Sequence, residues 1–165
     1  MNTALTQLGS FIFYFQHVEG AVNELISLLS HADPDVAKIL TNGLGYAQRV
    51  QAIEALFIRQ EHLRGAGGGA NEEKFRALCK VLLEAGTRRN YFVHSRWMHW
   101  INVEGRTGLL RRDERLHRGE AFLKEREEGL QAEDFEKDLA TLETALRDLE
   151  SFRLQVIDLL YPESD

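Results

Sequence analysis

Thr87-Arg88-Arg89-Asn90-Tyr91-Phe92-Val93-His94-Ser95-Arg96-Trp97 is the stretch in which the periodicity of the chain changes. Upstream of it, Phe75, Leu78, Leu82 and Ala85 recur at three- and four-residue spacing and lead on to Arg89 and Phe92, which is the signature of a helix with one apolar face. Downstream, Met98-His99-Trp100-Ile101-Asn102-Val103 and Leu109 to Leu116 flank Glu104-Gly105-Arg106-Thr107-Gly108, a glycine turn between two short strands. The run therefore predicts a helix that ends at a β-hairpin.

Helices are read on both sides of this junction. Leu5, Leu8, Phe11, Phe15, Val18, Val22, Leu25 and Leu29 form one apolar stripe. Asp33-Pro34 stops that helix and starts the next, because aspartate caps a helix and proline suits its first position. Val36, Ile39, Leu40, Ala47, Val50, Ile53, Leu56 and Phe57 carry the pattern through a weak point at Gly43 and Gly45. Arg64 to Ala70 then reads as a flexible glycine-rich connection, without the Lys-Ser or Lys-Thr pair of a phosphate loop. Asn71 is expected to cap the helix that carries the quoted run, with Glu72 and Glu73 near its positive end. From Ala132 the stripe Phe135, Leu139, Leu142, Leu146, Leu149, Val156 and Leu160 gives the last helix, ended by Pro162. The fold class expected is all-α: an antiparallel four-helix bundle in a single domain over residues 1–165, with a small β-hairpin inserted at about 97–130 before the last helix.

The 165 residues, with 44% hydrophobic side chains, suffice for one core and are too few for two independent domains. The lone Cys79 cannot form an internal disulfide and lies on an inward-facing stripe, so a reduced, cytoplasmic protein is expected. The first helix lacks a basic leader and is interrupted by Gln16, His17, Glu19, Asn23 and Glu24, so neither a signal peptide nor a membrane span is expected. A net charge of −6 argues against a protein that coats nucleic acid generally. Even so, Arg88, Arg89, Arg96, Arg106, Arg111, Arg112, Arg115, Arg118, Lys124 and Arg126 fall in one part of the chain, a local basic surface that would suit a polyanion.

Arg89 and His94 combine a permanent cation with a group that titrates near neutrality, so they can neutralise a phosphate and move a proton. Asn90 and His94 are four residues apart on one helical face, where the amide can orient the ring. Arg89 and His94 are five apart, a rotation of roughly 140°. One helix therefore aims the two groups poorly at a single phosphate, and a two-fold dimer that apposes two such helix ends would remedy this. The histidines form no metal-binding pattern with cysteine or carboxylate, and no serine or cysteine nucleophile signature is present. A second Arg-x-x-x-x-His spacing, Arg112 to His117, sits in a predicted strand and is read as a coincidence.

Four helices with Arg89-Asn90-Tyr91-Phe92-Val93-His94 on the third resemble the HEPN family, the higher eukaryotes and prokaryotes nucleotide-binding domain. The resemblance implies a homodimeric, metal-independent endoribonuclease that needs no cofactor, acting on RNA as a toxin or in phage defence, with an antitoxin or other protein partner. Arg89 and His94 would be the catalytic pair and Asn90 their polar companion. His94 would take the proton of a 2′-hydroxyl, Arg89 would stabilise the phosphorane, and the products would carry a 2′,3′-cyclic phosphate and a free 5′-hydroxyl. Arg88, Tyr91, Arg96 and Trp100 are the expected RNA-binding residues, by charge and by stacking. In one toxin branch a tyrosine that receives the antitoxin's modification stands two residues after the histidine. Here that residue is Arg96, so that form of control is not expected. A non-catalytic module that binds RNA, a nucleotide or a protein through the same cleft is the alternative expectation.

Overall fold

The computed structural model describes residues 3–116 and 123–162. Its elements, in order, are α1 (Thr3–Ser30), α2 (Pro34–Thr41), α3 (Tyr46–Leu63), α4 (Ala70–His94), β1 (Arg96–Ile101), β2 (Thr107–Leu116), β3 (Leu123–Leu130) and α5 (Ala132–Leu160). Asp33 caps α2 as its sequence predicts: one carboxylate oxygen accepts from the N–H groups of Asp35 and Val36, with Pro34 in the first turn. The weak point at Gly43 and Gly45 is a complete break. It separates α2 from α3.

That break changes the topology. Gln7 donates to Glu136, and Glu24 lies in the field of Arg153, so equal steps along α1 and α5 stay in register and the two helices run parallel. Tyr46 packs on Phe15 and Arg49 donates to Asn23, which makes α3 parallel to α1 as well. Phe57 on Phe75, with Tyr46 against Gly86, sets α4 against α3 in the opposite sense. Phe92 on Phe135, with Phe75 on Phe152, does the same for α4 and α5. The bundle is therefore not antiparallel throughout: α2 carries the chain back, and only α4 opposes its three neighbours. The core is lined by most of the predicted stripes, with Phe11, Phe15, Val18, Val22, Ile53, Phe75, Leu82, Phe135, Leu142 and Leu149 all buried, whereas Leu5, Val36, Ile39, Leu40 and Ala47 of those stripes are exposed. Aromatic packing marks both ends. Phe57, Phe75 and Phe152 meet at 4.0–5.3 Å between ring centroids, while Phe11, Phe92 and Phe135 meet at 4.9 and 5.4 Å.

The predicted hairpin is a three-stranded antiparallel sheet in the order β1-β2-β3. Trp97 lies opposite Arg111 and His99 opposite Leu109; across the other edge of β2, Leu109 faces Leu130 and Arg111 faces Glu128. Buried Leu109 and Leu130, with half-buried Trp97, tie the inner face of the sheet to the bundle. His117 lies outside the described residues, so the second Arg-x-x-x-x-His spacing has only its arginine in view, paired with Glu127.

The α3–α4 turn is ordered by acids. α4 starts at Ala70 with Gly69, not Asn71, in the capping position. Glu72 supplies the side-chain acceptor from inside the helix: its carboxylate takes the N–H of Gly68 at 2.7 Å, and Gly68 holds a φ of +76° that favours glycine. Arg76 bonds the same carboxylate at 2.9 Å and reaches Glu54. His62 Nε2 approaches Glu72 at 3.5 Å, with Gly67 packed against its ring. The Gly68 N–H and then Arg76 hold the Glu72 carboxyl below its ordinary range.

Candidate functional site

The last two turns of α4 divide their side chains among three surroundings. Phe92 faces the core, where it is 2% exposed. Arg88, Tyr91 and Ser95 face the sheet. Arg89, Asn90, Val93 and His94 turn towards α1 and solvent. The division follows from 100° per residue, which leaves each stripe its own neighbour.

The helix exit is closed by side chains from the strand that follows. Ser95 Oγ donates to the Tyr91 carbonyl at 2.6 Å, and Trp97 Nε1 donates to the Phe92 carbonyl at 2.8 Å. Two carbonyls that a helix end leaves without intrahelical partners are thereby satisfied. Arg111 from β2 then locks the turn. Its side chain is 1% exposed, its Nη1 donates to Ser95 Oγ at 3.2 Å, its Nε donates to Glu128 at 3.0 Å, and its guanidinium lies 5.0 Å from the centre of the Tyr91 ring. Arg88 shares the Glu128 carboxylate at 3.0 Å and reaches Asp138 on α5 at 3.0 Å, with its guanidinium 4.5 Å over the Phe92 ring. Burial works against ionisation of Glu128, but Arg88 and Arg111 outweigh it and keep the carboxyl below its usual range. Burial prevails at Asp138, whose pKa is raised despite Arg88.

Of the four residues expected to hold RNA, two are therefore engaged within the chain. Arg88 is bound to two carboxylates, and Tyr91 lies half-buried under Arg111. Arg96 is exposed, without a carboxylate partner among the described residues. Trp100 is half-buried on the outer face of the sheet. The broad basic surface suggested by the sequence is largely neutralised where it is described: Arg106 lies by Glu104, Arg111 by Glu128 and Arg112 by Glu127.

The Arg-Asn-x-x-x-His element remains open. Arg89 sits with its guanidinium 5.8 Å from the centre of the Phe15 ring and donates through Nη1 to Asn90 Oδ1 at 3.2 Å. His94, the final residue of α4, is exposed and makes no hydrogen bond or ion pair among the described residues. Two grooves lie elsewhere: one of about 690 Å³ between α4 and α5, and one of about 770 Å³ between α1, α2 and the end of α5. Neither is lined by Arg89, Asn90 or His94.

Arg111, counted in the basic surface from its sequence, holds the site's frame together with Glu128, Asp138 and Ser95, to which sequence reasoning assigned no role. A buried arginine on a strand cannot be told from a surface one until its carboxylate is located. No known protein family matches this chain, no curated protein resembles it, and no solved structure matches its fold.

Proposed function

We propose that this chain is a HEPN-like, metal-independent endoribonuclease, active as a homodimer in a toxin or phage-defence role. The observation that carries the proposal is the free imidazole of His94 at the exposed end of α4, one turn beyond the Asn90 amide that holds Arg89. A solvent-facing imidazole without partners among the described residues is available to exchange protons with a ligand. Among the described residues the guanidinium makes one hydrogen bond, to a neutral amide, which leaves its remaining donors available to phosphate oxygens.

In this reading His94 removes the proton of the 2′-hydroxyl and the resulting oxygen attacks the adjacent phosphorus. Arg89 offsets the charge gathering on the phosphorane oxygens. The 5′-oxygen leaves with a proton from the imidazole of the second copy. His94 is exposed and Arg89 half-buried, and in this reading a second copy supplies the opposing wall of a cleft. Phe13 and Tyr14 of α1, 59% and 50% exposed, offer apolar area for a contact between copies.

The exposure of His94 also suits a second reading, a module that binds RNA or a protein without turnover. Wild type, His94→Ala and Arg89→Ala incubated in EDTA with a labelled single-stranded RNA separate the two. Cleavage to 2′,3′-cyclic phosphate ends, lost in both variants, is the expected outcome. A dimeric, folded wild type that leaves every RNA intact would overturn the nuclease reading.

A further inference from the structure

The outer face of the sheet carries residues that the proposed chemistry does not use. Side chains alternate along a strand, so Arg96, Met98 and Trp100 of β1 share one face with Gly108, Leu110 and Arg112 of β2 and with Glu127 and Gly129 of β3. Gly108 and Gly129 form a floor beneath Trp100. A Cβ at Gly108 would stand 2.8 Å from Trp100 Nε1, and one at Gly129 would stand 3.4 Å from Cζ2. The indole N–H is buried and finds no acceptor, so backbone contact rather than a hydrogen bond seats the ring. Met98 is 39% exposed beside it. At the end of the face nearest His94, Arg96 lies opposite Arg112, and the one carboxylate in that row, Glu127, is bonded to Arg112. Among the described residues Arg96 has no carboxylate partner.

We infer that this face is a track for an unpaired RNA strand, with a base stacked on Trp100 and a backbone phosphate held by Arg96, leading towards His94. The choice of RNA as occupant rests on the proposed nuclease reading. The arrangement itself supports it: an aromatic surface accepts any base from its π-face, and an uncompensated arginine accepts a phosphate. Between Arg96 and Trp100 the strand advances about 13 Å, at roughly 3.3 Å per residue. The track thus spans a few nucleotides on one side of the scissile bond. Base-paired RNA would not fit, because its bases are already stacked on one another.

Titration of the full protein with 2′-O-methyl oligouridine, which lacks a free 2′-hydroxyl and cannot be cut, tests the track apart from the chemistry. The single strand is expected to quench tryptophan fluorescence, and Trp100→Phe to abolish that quenching although Trp97 remains. Trp100→Ala should weaken binding about tenfold. Arg96→Ala, a surface change with no fold to disturb, should lower the slope of log affinity on log salt by about 0.7. Ile101→Ala, at an exposed position on the opposite face, should change neither quantity. Equal affinity for duplex, quenching that persists in Trp100→Phe, or an unchanged salt slope in Arg96→Ala would each overturn the track. If the strand binds through Trp100 while unmodified RNA stays intact, the track stands and the nuclease reading fails. Cleavage of RNA with Trp100 uninvolved would be the reverse.

Discussion

The two ends of α4 carry the same side-chain types and treat them differently. At its start, His62 lies by Glu72, Arg64 by Glu61 and Arg76 by Glu72 and Glu54, so each of these side chains has an acid within 3.5 Å. At its end, Arg88 and Arg111 are paired in the same way, but Arg89, His94 and Arg96 meet no carboxylate among the described residues. The closed end holds the α3–α4 turn in shape. The open end retains the hydrogen-bonding capacity that a ligand would need, and the paired arginines directly behind it hold its backbone in place.

The largest expected effect puts the two histidines against each other. His94→Ala should lower RNA cleavage by about a thousandfold while leaving the melting temperature nearly unchanged. His62→Ala should do the opposite, lowering the melting temperature and sparing cleavage. Equal loss of activity in both would erase the distinction between the ends.

Next comes the distinction between paired and unpaired arginines. Arg111→Ala leaves Glu128 without one of its two cations and opens the Ser95 contact, and should cost about 3 kcal/mol in urea unfolding. Arg96→Ala should stay within about 0.5 kcal/mol of wild type. A comparable cost for both would mean that Arg96 has a structural role.

Between the ends, Gly86 permits the contact of α3 with α4, since a Cβ there would come 2.6 Å from the Tyr46 ring. Gly86→Ala should destabilise by about 1 kcal/mol or more, despite alanine's better helix propensity. A stabilised variant would show that Tyr46 can yield. Burial, and then Glu19, raise the pKa of this tyrosine, so its hydroxyl stays neutral throughout the experiment.

The smallest effect is a dependence on acid. Glu72 has its pKa lowered in the folded state, so its stabilising contribution is complete above about pH 4.5 and is lost as pH falls through the folded value. Glu72→Gln should therefore differ most from wild type at neutral pH, with the two melting temperatures converging towards pH 3. Parallel curves would remove Glu72 from the acid limb.

The stripes of α1 and α5 were legible because nearly every core residue on them is aliphatic or aromatic. The break at Gly43 and Gly45 was legible too. Its consequence was not, since a glycine pair marks an interruption without saying which way the chain leaves it. β3 escaped notice because Lys124, Glu125, Arg126, Glu127 and Glu128 hide any alternation of apolar and polar residues. Glu128 and Arg111 reach the interior as a pair, and a pair has no periodic signature. At the candidate site, the sequence could name Arg89, Asn90 and His94 but could not assign Arg88 to Glu128 and Asp138. That assignment depends on β3 and α5, 40 and 50 residues further along.

The parallel pairing of α1 with α5 bears on how the molecule folds. The bond from Gln7 to Glu136 joins positions 129 residues apart, so this seam is among the most non-local contacts in the chain. Closing so long a loop carries an entropic cost that is recovered only when many contacts form together. During synthesis, α3, α4 and the sheet emerge before Phe135 and Asp138 arrive to support Phe92 and Arg88. The exposed end of α4 therefore acquires its final shape only in the last stage of folding, and a chain still lacking α5 carries the Arg89 and His94 side chains on an incomplete bundle.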